Sequence, residues 1–269
     1  MTTPFLGDMN DDGVVRGRPY QEVGEISEKQ NYPIGMILER HGRRYRYCKA
    51  YEAIAITNRG CPSMVDYPWI ATSVRSAKFV SCNSFVAGDR KITLTVDDVV
   101  EDSPYAALTK NFFTGGFINV FYDTNAIQTI RVSGNDVGNV NASSAANTDI
   151  PLYLDEPFAK DYAAGCTVDL YASPYIAIGA STSLTGWASV AVIPHVAVTS
   201  GYFFWGQTRG ICWVTPSAGI TGTGIRMVYF HTDGTIKDGG TDTSLQLAGC
   251  IAYKGDNTQD DATIQLMLE

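Results

Sequence analysis

Three histidines are the residues of this chain whose type most directly suggests catalysis. His41 lies in a His-Gly turn sequence, His195 follows a proline, and His231 precedes a Thr-Asp-Gly turn sequence. A Ser-His-Asp or Cys-His site would place one of them beside a nucleophile. However, no Gly-x-Ser-x-Gly or His-Glu-x-x-His sequence frames any of the three. We therefore expect no enzymatic activity, and a small hydrolase is the third and last alternative.

Three further segments suggest ligand chemistry but fit it poorly. The Asp97–Asp102 carboxylates would suit sugar cleavage, but their clustering is more typical of a solvated loop. The segment Asp8–Gly13 matches four positions of a calcium loop, whereas the twelfth position is Pro19 instead of glutamate. The glycines of Gly219–Gly224 lack the Lys-Ser/Thr of a phosphate loop. The sequence thus predicts no metal and no cofactor.

A basic run near the start of the chain is a candidate binding segment. Its members are Arg40, Arg43, Arg44, Tyr45, Arg46 and Tyr47. Arginines interleaved with aromatic residues can clamp and stack a single-stranded nucleic acid. In a strand, however, alternation places Arg44 and Arg46 on one face and the two tyrosines on the other. This favours a salt-bridging interface with an acidic neighbour.

Aromatic residues accumulate towards the end of the chain. They are Trp187, Tyr202, Phe203, Phe204, Trp205 and Trp213. Such a set could form a carbohydrate platform, but aromatic residues more often fill a β core or a subunit interface. With the two arginines, the sequence therefore predicts six interface residues. They are Arg44, Arg46, Trp187, Tyr202, Trp205 and Trp213.

Composition and charge limit the partners. The chain has 269 residues and a net charge of −8, which disfavours nucleic acid and anionic membranes as main partners. No stretch approaches the roughly 18 apolar residues of a membrane span, and the first residues do not resemble a secretory signal. We expect synthesis in a cytoplasm. The six scattered cysteines contain no C-x-x-C pair, which disfavours a zinc knuckle or a redox motif. Their even number permits three disulfides, but without a signal peptide we expect free buried thiols instead.

Periodicity predicts an all-β chain. Ile92, Leu94 and Val96 alternate with threonines, and similar short runs recur about every dozen residues with turn residues between them. The sequence predicts an extended N-terminal arm at 1–30, followed by a β-hairpin and an irregular segment at 31–90. Two barrel-like or sandwich-like domains then follow, a middle one at 91–180 and a C-terminal one at 181–269.

Several segments, in order, resemble the capsid decoration or cement proteins of tailed bacteriophages. The matching segments are Tyr32–Gly35, Gly42–Tyr47, Gly116–Val120, Ile127–Val132, Ile150–Leu154, Val168–Leu170, Gly201–Gly210, Asp233–Thr235, Gly249–Tyr253 and Ile264–Leu268. Together they span roughly residues 31–269, whereas 1–30 and 51–90 have no counterpart. Each segment is a strand-and-turn pattern of modest specificity, so the weight of the resemblance comes from their order.

The resemblance implies a non-enzymatic virion structural protein on the outside of a phage head. Its partners would be the major capsid protein and copies of itself, expected as trimers, with no nucleic acid and no membrane. It would be made in the host cytoplasm and would reinforce the shell. On this hypothesis the arm at 1–30 becomes ordered only on the particle. The alternative is a tail or fibre adaptor that recognises a host glycan through its aromatic residues.

Overall fold

The structure is a computed structural model that describes most of the chain. The described residues are 14–16, 20–65, 81–96, 110–123, 126–137, 148–162, 167–183, 189–217, 220, 227–238, 245–253 and 263–269. Within these ranges the regular structure is almost entirely β, with one 3-10 turn at Ser181–Ser183 and no α-helix. The all-β prediction is confirmed.

Sixteen strands are present in the described residues. In chain order they are β1 (Val14–Arg16), β2 (Ile37–Arg40), β3 (Arg43–Lys49), β4 (Cys61–Pro62), β5 (Ser81–Cys82), β6 (Lys91–Val96), β7 (Phe117–Asp123), β8 (Ala126–Asn135), β9 (Thr148–Leu154), β10 (Thr167–Tyr171), β11 (Val190–Pro194), β12 (Phe203–Trp213), β13 (Met227–Phe230), β14 (Ile236–Asp238), β15 (Leu247–Ile251) and β16 (Thr263–Met267). They form one sheet of ten strands and one of six.

The chain divides into two compact units. The first combines Met1–Met64 with Tyr175–Glu269, and the second is Val65–Pro174. The sequence patterns instead predict boundaries at residues 90 and 180, with the hairpin separate from the C-terminal strands. The difference arises because β3 pairs with β12 along most of its length, from Lys49 with Phe203 to Arg44 with Arg209. Such long-range pairing leaves no local signal in the sequence.

The second unit contains an antiparallel sheet with the order β10-β7-β8-β9-β6-β5. The alternation that predicts its strands is confirmed, because Ile92, Leu94, Ile150 and Leu152 are all buried. In the described residues no ladder joins the end strands β10 and β5. The sheet is therefore open, and the barrel form of the prediction is wrong. A sandwich-like arrangement is consistent with the structure.

The first unit is organised around β12. Its main sheet has the order β1-β2-β3-β12-β16-β15-β13-β14, and β11 pairs with both β12 and β4. Two clusters of buried side chains surround β12, one including Cys212 and the other including Phe204. An eleven-residue strand in the middle of the sheet thus connects both parts of the core.

The hairpin predicted at the basic run is confirmed. Arg40 pairs with Arg43, so the turn consists of His41 and Gly42 alone. Both turn residues have positive φ, 51° and 74°, as a two-residue type I′ turn requires. Glycine takes this conformation at little cost, whereas His41 is an uncommon residue there.

The predicted arm is partly incorporated into the first unit. Val14–Arg16 pairs in parallel with β2, and Ser27 exchanges two backbone hydrogen bonds with Phe203. Gln21 is 3% exposed, and its side-chain Nε2 donates to the Phe203 carbonyl over 3.0 Å. The prediction of an arm that orders only on a particle is therefore wrong for residues 20–30. Residues 1–13 and 17–19 lie outside the described residues.

Candidate interaction surface

The hairpin separates its arginines from its tyrosines as the sequence predicts. Tyr45 and Tyr47 are 4% and 0% exposed, whereas Arg44 and Arg46 lie on the opposite face of the strand. Tyr47 packs edge-on against Trp205, with ring centroids 4.9 Å apart. The tyrosine rings are therefore not available for stacking with nucleic acid bases.

Arg44 and Arg46 are paired with carboxylates of their own chain. Arg44 contacts Glu39 over 2.6 Å and Glu269 over 3.5 Å, and Arg46 contacts Glu269 over 2.5 Å. The hydroxyl of Tyr175 also donates to Glu269 over 2.6 Å. Burial by itself raises the pKa of Glu269, but hydrogen bonds from Arg46 and Tyr175 and the charges of the two arginines lower it below its usual value. These two predicted interface arginines already have acidic partners within the chain.

The four predicted aromatic interface residues occupy different environments. Trp205 is completely buried, and its indole Nε1 donates to the Gln21 carbonyl over 2.9 Å. Tyr202 is half-buried against the core cluster that includes Phe204. Trp213 is 39% exposed, and Trp187 lies outside the described residues. Trp205 cannot contribute accessible surface to an interface, because the arm and the hairpin cover it.

A β-bulge explains why Trp205 and Trp213 differ. Residues eight positions apart on a regular strand share one face. In β12, however, the pairing with β3 shifts by one residue between Gln207 and Arg209. An inserted residue reverses the alternation that follows it. Trp205 therefore points into the core, whereas Trp213 lies on the opposite, solvent-facing side.

The register places a continuous surface on that opposite side of the sheet, which we term the outer face. Residues directly opposite one another in antiparallel ladders share a face. The outer face comprises Glu39, Arg44, Arg209 and Met267 in one row, Ile211, Gln265, Cys250 and Met227 in a second row, and Trp213 beside them. Met267, Met227 and Trp213 are 50%, 48% and 39% exposed. The outer face thus joins a charged end at the hairpin to an apolar end at β13.

Each of the three histidines contacts a polar side chain of its own chain. Arg40 Nε donates to His41 at the exposed hairpin turn. His195 lies between the side chains of Asn58 and Gln207. His231 contacts Asp233 over 3.1 Å, within the turn that precedes β14.

Among the residues that the structure describes, Asp233 is the carboxylate that contacts a histidine. Its Oδ1 accepts from the backbone N and the hydroxyl of Thr235, over 3.1 and 2.5 Å, as well as from His231. Burial raises its pKa, but the hydrogen bonds from Thr235 and His231 and the charge of Arg59 lower it overall. This geometry closes and stabilises the turn between β13 and β14.

The residues that the sequence suggests for metal, sugar or phosphate binding are not among the described residues. Asp8–Gly13, Asp97–Asp102 and the three glycines of Gly219–Gly224 lie outside the described residues. Among the residues that are described, no three histidine, cysteine or acidic side chains come together as a metal site. No helix in the described ranges has the length and apolar character of a membrane span.

Four of the cysteines are free thiols in the structure. Cys48, Cys61 and Cys212 are buried, whereas Cys250 is half-buried on the outer face. Burial raises the pKa of Cys61 and Cys212 to about 12, and that of Cys48 further still. The three buried thiols pack as small apolar side chains, in agreement with the expectation of free buried thiols.

Sequence reasoning missed Arg209 and gave Arg43 no separate role. Arg43 follows the hairpin turn and Arg209 follows the bulge, and both line one cleft on the first unit. Arg43 belongs to the predicted basic run, but Arg209 stands alone in the sequence between Thr208 and Gly210. The pairing of β3 with β12 sets Arg209 opposite Arg44, so that Arg209 lines the same cleft as Arg43.

The chain was compared with protein-family models, with curated proteins and with solved structures. None of the three comparisons finds a match.

Proposed function

We propose that this chain is a non-enzymatic virion structural protein that decorates and reinforces a phage capsid through protein–protein contacts. Its partners would be the major capsid protein and further copies of itself, assembled as trimers on the exterior of the capsid. The protein would be made in the host cytoplasm. This function is supported by the resemblance to capsid decoration proteins, in which the matching segments occur in the same order within roughly residues 31–269.

The observation that carries the proposal is the outer face of the first unit. Trp213, Met227 and Met267 expose apolar side chains on strands that hydrogen-bond to one another. Because the strands are held in a sheet, these side chains can be covered by a neighbour with little loss of backbone freedom. Exposed apolar residues beside charged ones are typical of protein-binding surfaces.

On a capsid, each single contact between subunits can have a low affinity. Neighbouring subunits repeat the same surface many times, so contacts that are weak singly add up across the shell. An outer face of mixed polar and apolar character suits such repeated contacts. It does not require the large apolar area of an obligate dimer.

The test is to image purified particles with and without this protein and to count its copies. We expect hundreds of copies on the head, and shells that break at lower temperature or osmotic stress when the protein is missing. A count of a few dozen or fewer, or a position on the tail, would contradict the proposal.

The second candidate is a tail or fibre adaptor that binds a host glycan through aromatic side chains. Exposure of the Trp213 ring favours it, because an accessible indole can stack on a sugar. Trp205 cannot contribute, since its ring is completely buried. Glycan-array binding that is lost in Trp213→Ala would support this function, and an array without any signal would remove it.

A further inference from the structure

A basic cleft lies at the tip of the hairpin on the first unit. Its volume is about 480 Å³, and its charged lining consists of Glu39, Arg40, Arg43, Arg44 and Arg209. Four arginines thus line the cleft against one glutamate, and the carboxylates of Glu22 and Glu269 approach two of these arginines. This predominance of arginine contrasts with the net charge of −8 of the whole chain.

Two of the four arginines have their charge balanced within the chain. Arg40 contacts Glu22 over 2.5 Å, and Arg44 contacts Glu39 and Glu269. Arg43 and Arg209 make no ion pair with any residue that the structure describes. Within the part of the chain that the structure describes, the cleft therefore offers two guanidinium groups without a carboxylate partner.

The backbone that carries Arg43 and Arg209 is held in place by close packing. Gly210 has a φ of +95°, and a Cβ at this position would approach the Gly42 carbonyl oxygen to 2.5 Å and the Arg43 Cα to 2.9 Å. On the other side of Arg209, the buried Gln207 donates to the Arg209 and Ile211 carbonyls, each over 3.0 Å. The hairpin tip and the bulge thus form one rigid support for the cleft.

The chemistry of the cleft suits carboxylates. A guanidinium group presents a planar fork of N–H donors that binds a carboxylate through two parallel hydrogen bonds. Arg43 and Arg209, which form no ion pair with a described residue, can each offer such a fork to a carboxylate of a short peptide segment. A nucleic acid strand would instead need a positive track along several phosphates and accessible rings for stacking. The hairpin tyrosines, Tyr45 and Tyr47, are buried and supply no such rings.

We infer that this cleft binds a carboxylate-rich segment of a neighbouring protein, and that Arg43 and Arg209 hold its side chains by charge-assisted hydrogen bonds. The cleft is continuous with the outer face, because Arg209 and Arg44 belong to both. The inference rests on the proposed function in one respect, namely that the neighbour is another virion subunit. The pairing of arginine with carboxylate itself does not depend on it.

The experiment uses the full chain and a fluorescent hexaglutamate peptide at low salt. The test variant is Arg43→Gln with Arg209→Gln. The control variant is Lys110→Gln with Arg131→Gln, which removes the same charge from exposed positions of the second unit. We expect the test variant to bind about tenfold more weakly, whereas the control variant changes the affinity by less than about twofold. Arg43→Lys with Arg209→Lys keeps the charge but loses the fork, so an intermediate affinity is expected.

Each of the following results would overturn the inference. Absence of binding to the wild-type chain, or equal affinity of the wild-type chain and the test variant, would show that the cleft does not take carboxylates. An equal loss in the control variant would attribute the binding to net charge alone. Tighter, arginine-dependent binding of an oligothymidylate with the same number of charges would assign the cleft to nucleic acid. Because peptide binding needs no particle, a failure here is distinguishable from a low copy number on the head, which tests the proposed function separately.

Discussion

His195 Nε2 lies 2.7 Å from Gln207 Oε1, in the middle of the first unit's sheet. The Gln207 amide nitrogen is already committed to the Arg209 and Ile211 carbonyls, so its oxygen must accept a hydrogen from His195. The contact connects His195 to the bulge that turns Trp213 outwards.

The first prediction concerns pH. Burial lowers the pKa of His195 from its ordinary 6.5, and the nearby charge of Arg43 lowers it further, while the hydrogen bond with Gln207 opposes this. The unfolded chain therefore binds a proton at a higher pH than the folded chain does. Stability from this residue is complete above about pH 6.5 and is lost as the pH falls below it. We expect the melting temperature to fall between about pH 7 and about pH 5, and His195→Gln to flatten this part of the profile.

Thermal unfolding followed by circular dichroism checks this expectation. His41→Gln is the matched control, because His41 lies in an exposed turn. A profile of His195→Gln that is as steep as that of the wild-type chain would contradict the argument.

The second prediction concerns Gly210. Alanine at this position must adopt a φ of +95° and would place its Cβ 2.5 Å from the Gly42 carbonyl oxygen. We expect Gly210→Ala to lower the free energy of unfolding by about 2 kcal/mol or more. Gly24→Ala is the control, since a Cβ there meets no atom within 4 Å. Denaturant titration measures both, and equal stability of the two variants would argue against close packing of the hairpin tip on β12.

The third prediction separates the two tryptophans of β12. Trp205→Ala removes a completely buried ring and its hydrogen bond to Gln21, so a loss of about 4 kcal/mol in the free energy of unfolding is expected. Trp213→Ala removes a partly exposed ring, and we expect a loss of less than about 1 kcal/mol. Chemical denaturation of both variants measures the difference. Similar losses would contradict the change of face at the bulge.

The fourth prediction concerns Glu269, whose side chain is 15% exposed and joins Arg46, Arg44 and the Tyr175 hydroxyl. Glu269→Gln keeps the shape but removes the charge, and we expect a loss of about 1–2 kcal/mol at neutral pH. Because the folded pKa is lowered from 4.5, this contribution is present above about pH 4.5 and disappears as the pH falls through the folded value. The stability gap between wild type and variant should therefore close in acid.

Glu156→Gln is the control for this measurement, because Glu156 is exposed. Its free energy of unfolding should stay within about 0.5 kcal/mol of that of the wild-type chain at each pH. A gap between wild type and Glu269→Gln that stays constant down to about pH 3 would contradict the role of the charge.

The local parts of this structure could be predicted from the sequence. Alternation in Ile92–Val96 and Ile150–Leu154 depends on neighbours two residues apart, so the strands and their buried faces follow from the pattern. The turn at His41-Gly42 likewise follows from a short sequence between two strand-like runs. The separation of Arg44 and Arg46 from Tyr45 and Tyr47 is a further consequence of the same period of two.

The tertiary structure decided what depends on distant parts of the chain. The one-residue shift after Gln207 reverses which side chains of β12 face the solvent. The sequence around Gln207 does not predict this shift, because the shift depends on pairing with β3 and on the contact with His195. The same pairing places Arg209 opposite Arg44, in the cleft that Arg43 also lines, and Trp205 is buried where its indole donates to the Gln21 carbonyl. Side-chain type and the two-residue period of a strand thus determine which residues alternate. Strand register determines which of them face the solvent, and it depends on residues that are distant in the sequence.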